Sequence, residues 1–220
     1  MSKKPPRRTA ERILEVALDL CNRFGMTNVS TTQIASEMRI SPGNLYYHYA
    51  SKDDLINKLF DQHECAVLAV LRTSDLVRDL PATWSFCEAL FGCVWQYRFI
   101  YRDLNHLLAN NRRIETHMQV LLAHKQTALQ EILAGLRHGQ SLQWSPDEAQ
   151  EIGAGMLLVL MYWLSYEYVQ DPRQMVGLLV PYLPAGARQQ LDEWAQRHVP
   201  PPAWPAAAAV QDAVVAGRHA

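Results

Sequence analysis

The residues best placed for recognition chemistry lie between Ser30 and Lys52, in the run S-T-T-Q-I-A-S-E-M-R-I-S-P-G-N-L-Y-Y-H-Y-A-S-K. Their chemistry is hydrogen bonding and stacking, not bond making. Gly43, Asn44, Tyr47 and His48 stand together, with Tyr46 flanking them. The run reads as two short helices joined by a tight turn, with a third helix starting just after. Ser30 can N-cap the first, with Gln33 three residues on in capping-box spacing. Ile34, Ala35 and Met38 give that helix one apolar face, and small Ala35 lets another helix approach closely. Ser41 caps the second, with Pro42 at its first position, where a missing N–H is no loss. Leu45 and Tyr49, four apart, point back to a core. The donors and aromatics left outside suit the major groove of DNA. The plainer alternative is a polar surface helix on a three-helix bundle. It does not explain why Gly43, Tyr46, Tyr47 and His48 stand outside together.

The stretch S-P-G-N-L-Y-Y-H-Y-x-S-K-x-x-L resembles the helix-turn-helix signature of the TetR family of one-component repressors, and the match covers about Arg7 to Leu59. The resemblance implies an all-α fold. An N-terminal three-helix helix-turn-helix DNA-binding domain would be followed by a larger helical ligand-binding and dimerisation domain. It implies Asn44, Tyr47 and His48 near base edges. Tyr46, His48 and Lys52, with Thr31 or Thr32, would hold phosphates, and Gln33, Ser41, Pro42 and Gly43 would complete the interface. The family usually places Gly where Arg39 stands. If that position must be left-handed, Arg costs roughly 1 kcal/mol over Gly.

Composition agrees with one-ended DNA binding. Net charge is −1, but residues 1–58 hold 9 Lys/Arg against 6 Asp/Glu, and the remainder 12 against 16. The basic share lies beside the motif, as phosphate binding requires. Cys21, Cys65, Cys87 and Cys93 show no C-x-x-C and no disulfide spacing, which fits reduced thiols and a cytoplasmic location. The N-terminus is basic without an apolar run after it, so no signal peptide is expected. The longest uncharged apolar-rich run, between Glu151 and Glu167, has 15 residues. That is short of the roughly 20 that span a bilayer, so no membrane partner is expected.

The domain organisation expected is a basic flexible arm over 1–8, a DNA-binding domain with its connecting helix over 9–71, a helical domain over 72–199, and a Pro/Ala-rich tail over 200–220. Thr9 can cap the first helix, which runs to about Phe24 before Gly25. A helix from Ser51 to about Leu71, with Asp53 and Asp54 in its first turn, is the natural lever between domains. Later helices are expected over Pro81 to Arg98, Tyr101 to Ala109, Ile114 to His138, Pro146 to Val169 and Pro172 to Tyr182. One more is expected over Ala185 to His198.

The later half offers no reactive constellation. It has no G-x-S-x-G, Walker loop, G-x-G-x-x-G or H-E-x-x-H, so neither catalysis nor a cofactor is expected. His106, His117 and His124 invite a metal reading, but only the last two share a helical face, two turns apart, and no carboxylate or thiol pattern completes a site. Trp84, Phe91, Trp95, Met118, Met156, Tyr162 and Tyr166 are core candidates that could also line an apolar cavity. Arg102, Asn105 and His106 are its candidate polar anchors, with Tyr162. Leu157, Leu160, Leu164, Met175 and Leu179 are candidates for a four-helix dimer interface, or else for intramolecular core. The segments V-S-T-T-Q-I-A and Q-Y-R-F-I-Y-R-D-L are similar to the regulators of polyhydroxyalkanoate operons, which implies a fatty acyl effector such as an acyl-CoA. The function expected is a ligand-responsive homodimeric repressor, released from a palindromic double-stranded operator by a small hydrophobic molecule. The competing reading is an all-helical enzyme or small-molecule carrier with an incidental helix-turn-helix.

Overall fold

Three serines start three successive helices in the same way. In each case the serine Oγ accepts from the backbone N–H three residues on: Ser30 from Gln33 at 3.1 Å, Ser41 from Asn44 at 3.2 Å, Ser51 from Asp54 at 3.0 Å. Each bond satisfies a donor that a helix start leaves open. The computed structural model describes residues 6–139, 144–162, 164, 175, 177–183, 186, 188, 189 and 193. Among them are nine α-helices and no strand: α1 Pro6–Phe24, α2 Thr31–Glu37, α3 Pro42–His48, α4 Lys52–Leu71, α5 Leu80–Gln96, α6 Arg98–Arg102, α7 Leu104–Asn110, α8 Arg112–Gly139 and α9 Pro146–Tyr162. The Pro/Ala-rich tail and most of the helix expected over Ala185 to His198 lie outside the described residues.

The chain divides into two compact units. The first runs to Leu76 and takes in Glu88–Ala128; the second comprises Val77–Cys87 and the chain from Leu129 onward.

In the first unit, α1, α2 and α3 form a bundle closed by the start of α4. Ile13, Ala17, Ile34, Ala35, Leu45, Leu55 and Ile56 are buried there. Tyr49 is buried too, and its hydroxyl donates to the Ala10 carbonyl at 3.2 Å. The turn after α2 is a Schellman motif: Ile40 N–H donates to Ala35 O and Arg39 N–H to Ser36 O, both at 3.0 Å. The motif needs a left-handed residue. Arg39 supplies it at φ 56°, the one non-glycine residue with positive φ among those described.

Two expectations change here. The first helix begins at Pro6, so part of the arm expected over 1–8 is helical. Pro is pre-set for a first helical position, and the arginines after it are good helix formers. The helix expected over Tyr101 to Ala109 is broken at Asp103, which has φ −99° and ψ 17°. The break has a reason in α1. Asp103 Oδ2 accepts from Met26 N–H at 2.6 Å, beside Gly25 at φ 82°. One turn earlier, Asn22 supplies both halves of an amide to the gap between α5 and α6. Its Nδ2 donates to Gln96 O at 2.9 Å and its Oδ1 accepts from Phe99 N–H at 3.1 Å. Arg102 donates to Asn22 O at 3.1 Å. The far side of α4 is tied to α8 by three polar rungs: Asn57 with Asn111, Asp61 with Arg113, and Glu64 with His117.

In the second unit, α9 opens with a capping box. Glu148 N–H donates to Ser145 Oγ at 3.2 Å, and Ser145 N–H donates to Glu148 Oε2 at 2.7 Å. These bonds hold the Glu148 carboxyl below its usual range. Ile132, Leu133, Leu136, Ile152, Met156 and Leu160 form its core. Gly135 is required by space, since a Cβ there would lie 2.3 Å from the Val77 carbonyl oxygen.

Two stability outcomes follow. Arg39→Gly should stabilise the chain by about 1 kcal/mol in urea unfolding, since the left-handed strain is relieved while both turn bonds remain. Asn22→Ala should destabilise it by about 1–3 kcal/mol, because Gln96 O and Phe99 N–H lose their partner. An unchanged midpoint for Asn22→Ala would show that the gap between α5 and α6 is satisfied some other way.

Candidate nucleic-acid interface

Helix α3 is held by its inner face and open on its outer one. Leu45 is fully buried and Tyr49 nearly so, while Tyr47 is 80% exposed and Tyr46 49%. Pro42, Gly43 and Asn44 are exposed and His48 is half-buried. The rings of Tyr47 and His48 meet edge to face at 5.2 Å, which orders two outward side chains against each other.

The residues expected to recognise DNA are gathered on this side of the first unit. Thr32 and Gln33 are exposed in the first turn of α2. Thr31 Oγ1 shares a 2.9 Å hydrogen bond with Tyr46 OH, linking the start of α2 to α3. Lys52 opens α4 and is half-buried. Ser41 is exposed, but its hydroxyl is already used as a cap, so its part is to fix α3. The surface is a convex short helix flanked by hydroxyls and a lysine. It can donate, accept and stack, and it holds no group poised for bond cleavage.

The candidate ligand residues divide. Phe91 and Met118 are buried in the first unit, and Trp84 and Met156 in the second. Trp95 is half-buried, with the Arg98 guanidinium 4.8 Å from its ring centre. Tyr162 is 40% exposed, and Tyr166 lies outside the described residues. Three expected anchors do not line the interior. Asn105 and His106 are exposed on α7, and Arg102 is turned to the α1 carbonyl at Asn22.

Three polar side chains deep inside the first unit, His63, Tyr101 and Lys125, meet one another. Each is at most 2% exposed. Lys125 Nζ donates to Tyr101 OH at 3.0 Å, and His63 Nε2 is 2.8 Å from the same oxygen. Burial drives the Lys125 ammonium down to about 7, with the Cys93 sulfur pulling the other way. Burial first, and Lys125 second, push His63 well below its usual value. A signal for Lys125 was present: it follows Met118 and Leu121 by seven and four residues, on an apolar stripe.

Among the dimer candidates, Leu160, Met175 and Leu179 are fully buried within the chain itself, so they cannot meet a second copy without unpacking. Leu157 and Leu164 are half-buried. The outward face of α9 is instead Ala154, Leu158 and Tyr162, four apart, with Leu158 61% exposed. No group of three or more metal-ligating side chains occurs among the described residues, and His117 is spent on Glu64. No helix among them is long and apolar enough to cross a membrane.

Comparison with known proteins agrees with this geometry. The family described as "Bacterial regulatory proteins, tetR family" matches residues 13–59, and that described as "Bacterial transcriptional repressor" matches residues 62–191. A solved TetR-family transcriptional regulator from Marinobacter aquaeolei is 29% identical, with a TM-score of 0.78, covering 87% of this chain and 99% of that one. The nucleoid occlusion factor SlmA of Shewanella frigidimarina is 25% identical over 185 residues, 79% of this chain and 92% of the relative. The HTH-type transcriptional regulator AcrR of Shigella flexneri is 30% identical over 63 residues, 29% of each chain. None of these supports the narrower likeness to polyhydroxyalkanoate regulators. Matched from α1 to beyond α9, the chain belongs to the TetR family and is a DNA-binding transcriptional regulator, not an enzyme.

Proposed function

We propose that the chain is a homodimeric repressor that reads a palindromic operator through the outward face of α3 and leaves it when a small apolar molecule binds. The observation that carries the reading is Tyr47, 80% exposed on a helix fixed by a serine cap and two buried anchors. A large aromatic held out in water by a rigid scaffold calls for a partner. Asn44, Tyr47 and His48 read base edges, while Tyr46, Lys52 and Thr31 or Thr32 hold phosphates. Base contacts supply specificity and phosphate contacts supply affinity. Such a protein works beside the chromosome, in the cytoplasm.

One α3 reads only a few base pairs, so two copies are needed, with recognition helices about 34–36 Å apart to meet successive turns of the groove. The face Ala154, Leu158 and Tyr162 of α9, with Leu157 and Leu164 beside it, is the apolar surface a second copy would cover. Release works through α4 and α6. The start of α4 belongs to the DNA-reading bundle, and its far side is tied to α8 by the three polar rungs. α6 is tied to α1 by Arg102 and Asp103. A ligand that binds better when these helices have shifted changes the spacing of the heads. Its leverage is limited to its differential affinity, typically about 1–3 kcal/mol. The buried residues are mostly apolar, which favours a hydrophobic effector, with acyl compounds first among those to try.

Fragments of genomic DNA captured by the protein provide the operator for each test. Tyr47→Ala should relax preference at one base position, costing about 1–3 kcal/mol there, while Lys52→Ala should weaken all sites alike and flatten the salt slope by about one unit. Unchanged binding by both variants would remove α3 from the interface. Light scattering should show a dimer at micromolar concentration, and Leu158→Glu a monomer with weakened operator binding. A wild-type monomer that still binds the full palindrome tightly would contradict the dimer.

A further inference from the structure

The turn between α2 and α3 is closed by backbone alone. Ile40 N–H donates to Ala35 O and Arg39 N–H to Ser36 O, both at 3.0 Å. These bonds hold position 39 left-handed, at φ 56°. They ask nothing of the side chain there. A glycine would form the same two bonds without the crowding of Cβ against carbonyl oxygen that disfavours this conformation. At the end of α1 the chain does use one: Gly25 stands at φ 82°. Position 39 holds an arginine instead. It is exposed, and among the described residues its guanidinium has no hydrogen bond, ion pair or ring contact. Glu37, two residues away and also exposed, does not pair with it. Other arginines of the same unit are engaged: Arg23 with Asp19, Arg102 with Asn22 O, Arg113 with Asp61. Backbone strain that packing does not use is a pointer to function.

We propose that Arg39 is a DNA phosphate contact, its guanidinium meeting the backbone beside the groove that α3 enters. The inference rests on the proposed docking of α3 and adds a residue to it. Arg39 comes two residues before Ser41, the cap of α3, and three before Pro42. Consecutive Cα atoms are about 3.8 Å apart, so Arg39 starts within about 11 Å of the first residue of the helix. The major groove is about 12 Å wide, and phosphates run along both of its edges. A helix seated there brings the turn before it close to one of those edges. The planar guanidinium can then give two N–H donors to one phosphate.

The other phosphate contacts come from Thr31 or Thr32 at the start of α2, from Tyr46, and from Lys52 at the start of α4. Arg39 lies past the far end of α2, a helix about 10 Å long. The two ends of α2 would then be fastened to the backbone separately, with α3 between them and the bases. Such a contact adds affinity for any duplex and no sequence preference.

The test compares Arg39→Gly, Arg39→Gln and Arg39→Lys with the wild-type protein, by fluorescence anisotropy between about 50 and 200 mM KCl. The probes are the captured operator and an unrelated duplex of the same length. Gly and Gln should weaken binding to both duplexes alike and flatten the log–log salt slope by about 0.9 per protomer bound. Over that salt range the gap to wild type then narrows by about 3.5-fold per protomer. Lys should keep the slope, because an ammonium displaces the same counterion. Arg39→Gly should also unfold at higher urea while binding DNA more weakly, a pairing that a purely structural role does not produce. Gln keeps the strain and the length of the side chain but not its charge. A loss in Gly without one in Gln would trace the effect to turn flexibility and overturn the proposal. So would unchanged affinity and slope in both, a loss confined to the operator at unchanged slope, or Lys with the slope of Gln. Tyr47→Ala is measured alongside. If it alone is impaired, α3 reads DNA and the Arg39 contact is overturned; if neither it nor Arg39→Gly changes binding, the docking of α3 fails as well.

Discussion

A seven-residue helix is too short to hold itself in water, so the orientation of α3 has to be imposed from outside. Everything this protein does with DNA depends on that. The means are local and few. Ser41 closes its first turn, Leu45 and Tyr49 pin its inner face, and Tyr46 reaches across to Thr31. The Tyr49 hydroxyl adds a bond to α1. None of these contacts uses the side chain of Asn44, Tyr47 or His48. The helix is rigid where it meets the protein and open where it would meet a groove, which is what preorganised recognition requires.

The same unit contains a second junction at α6. Three consecutive residues point in different directions. Tyr101 joins the buried cluster with His63 and Lys125, while Arg102 and Asp103 grip the end of α1. α6 has only five residues, so these contacts lie within one turn of each other. Asn22 completes the junction by satisfying the backbone on both sides of the α5–α6 gap. α3 and α6 are both short helices held by contacts from their neighbours, and the longer helices α4 and α8 pack beside them.

Much of this is legible in the residues alone. The serine caps and Pro42 are local rules, read directly from spacing, and the structure forms all three caps as the residues suggest. Arg39 at the family's glycine position pointed to a left-handed turn, and it is one. What could not be read was tertiary. Nothing near Asp103 in the chain indicates that it accepts from Met26, 77 residues earlier. A helical pattern therefore runs straight through a break, after which Asn105 and His106 stand exposed on α7. Lys125 follows Met118 and Leu121 on an apolar stripe, but that it meets Tyr101 and His63 from two other helices is shown only by packing. Leu160, Met175 and Leu179 illustrate the converse: an apolar face cannot say whether its own chain or a second copy covers it.

The central claim is that α3 enters the major groove with Tyr47 at the bases. The most direct measurement is site-specific photo-crosslinking from position 47 to operator DNA, with the crosslinked nucleotide identified by sequencing. With Tyr47 at the bases, one base in each half-site should be crosslinked, the two sites about one helical turn apart, at roughly 34–36 Å. Crosslinks spread over the sugar–phosphate backbone without a preferred base, or no crosslink from position 47 while one forms from an exposed residue such as Leu76, would contradict it.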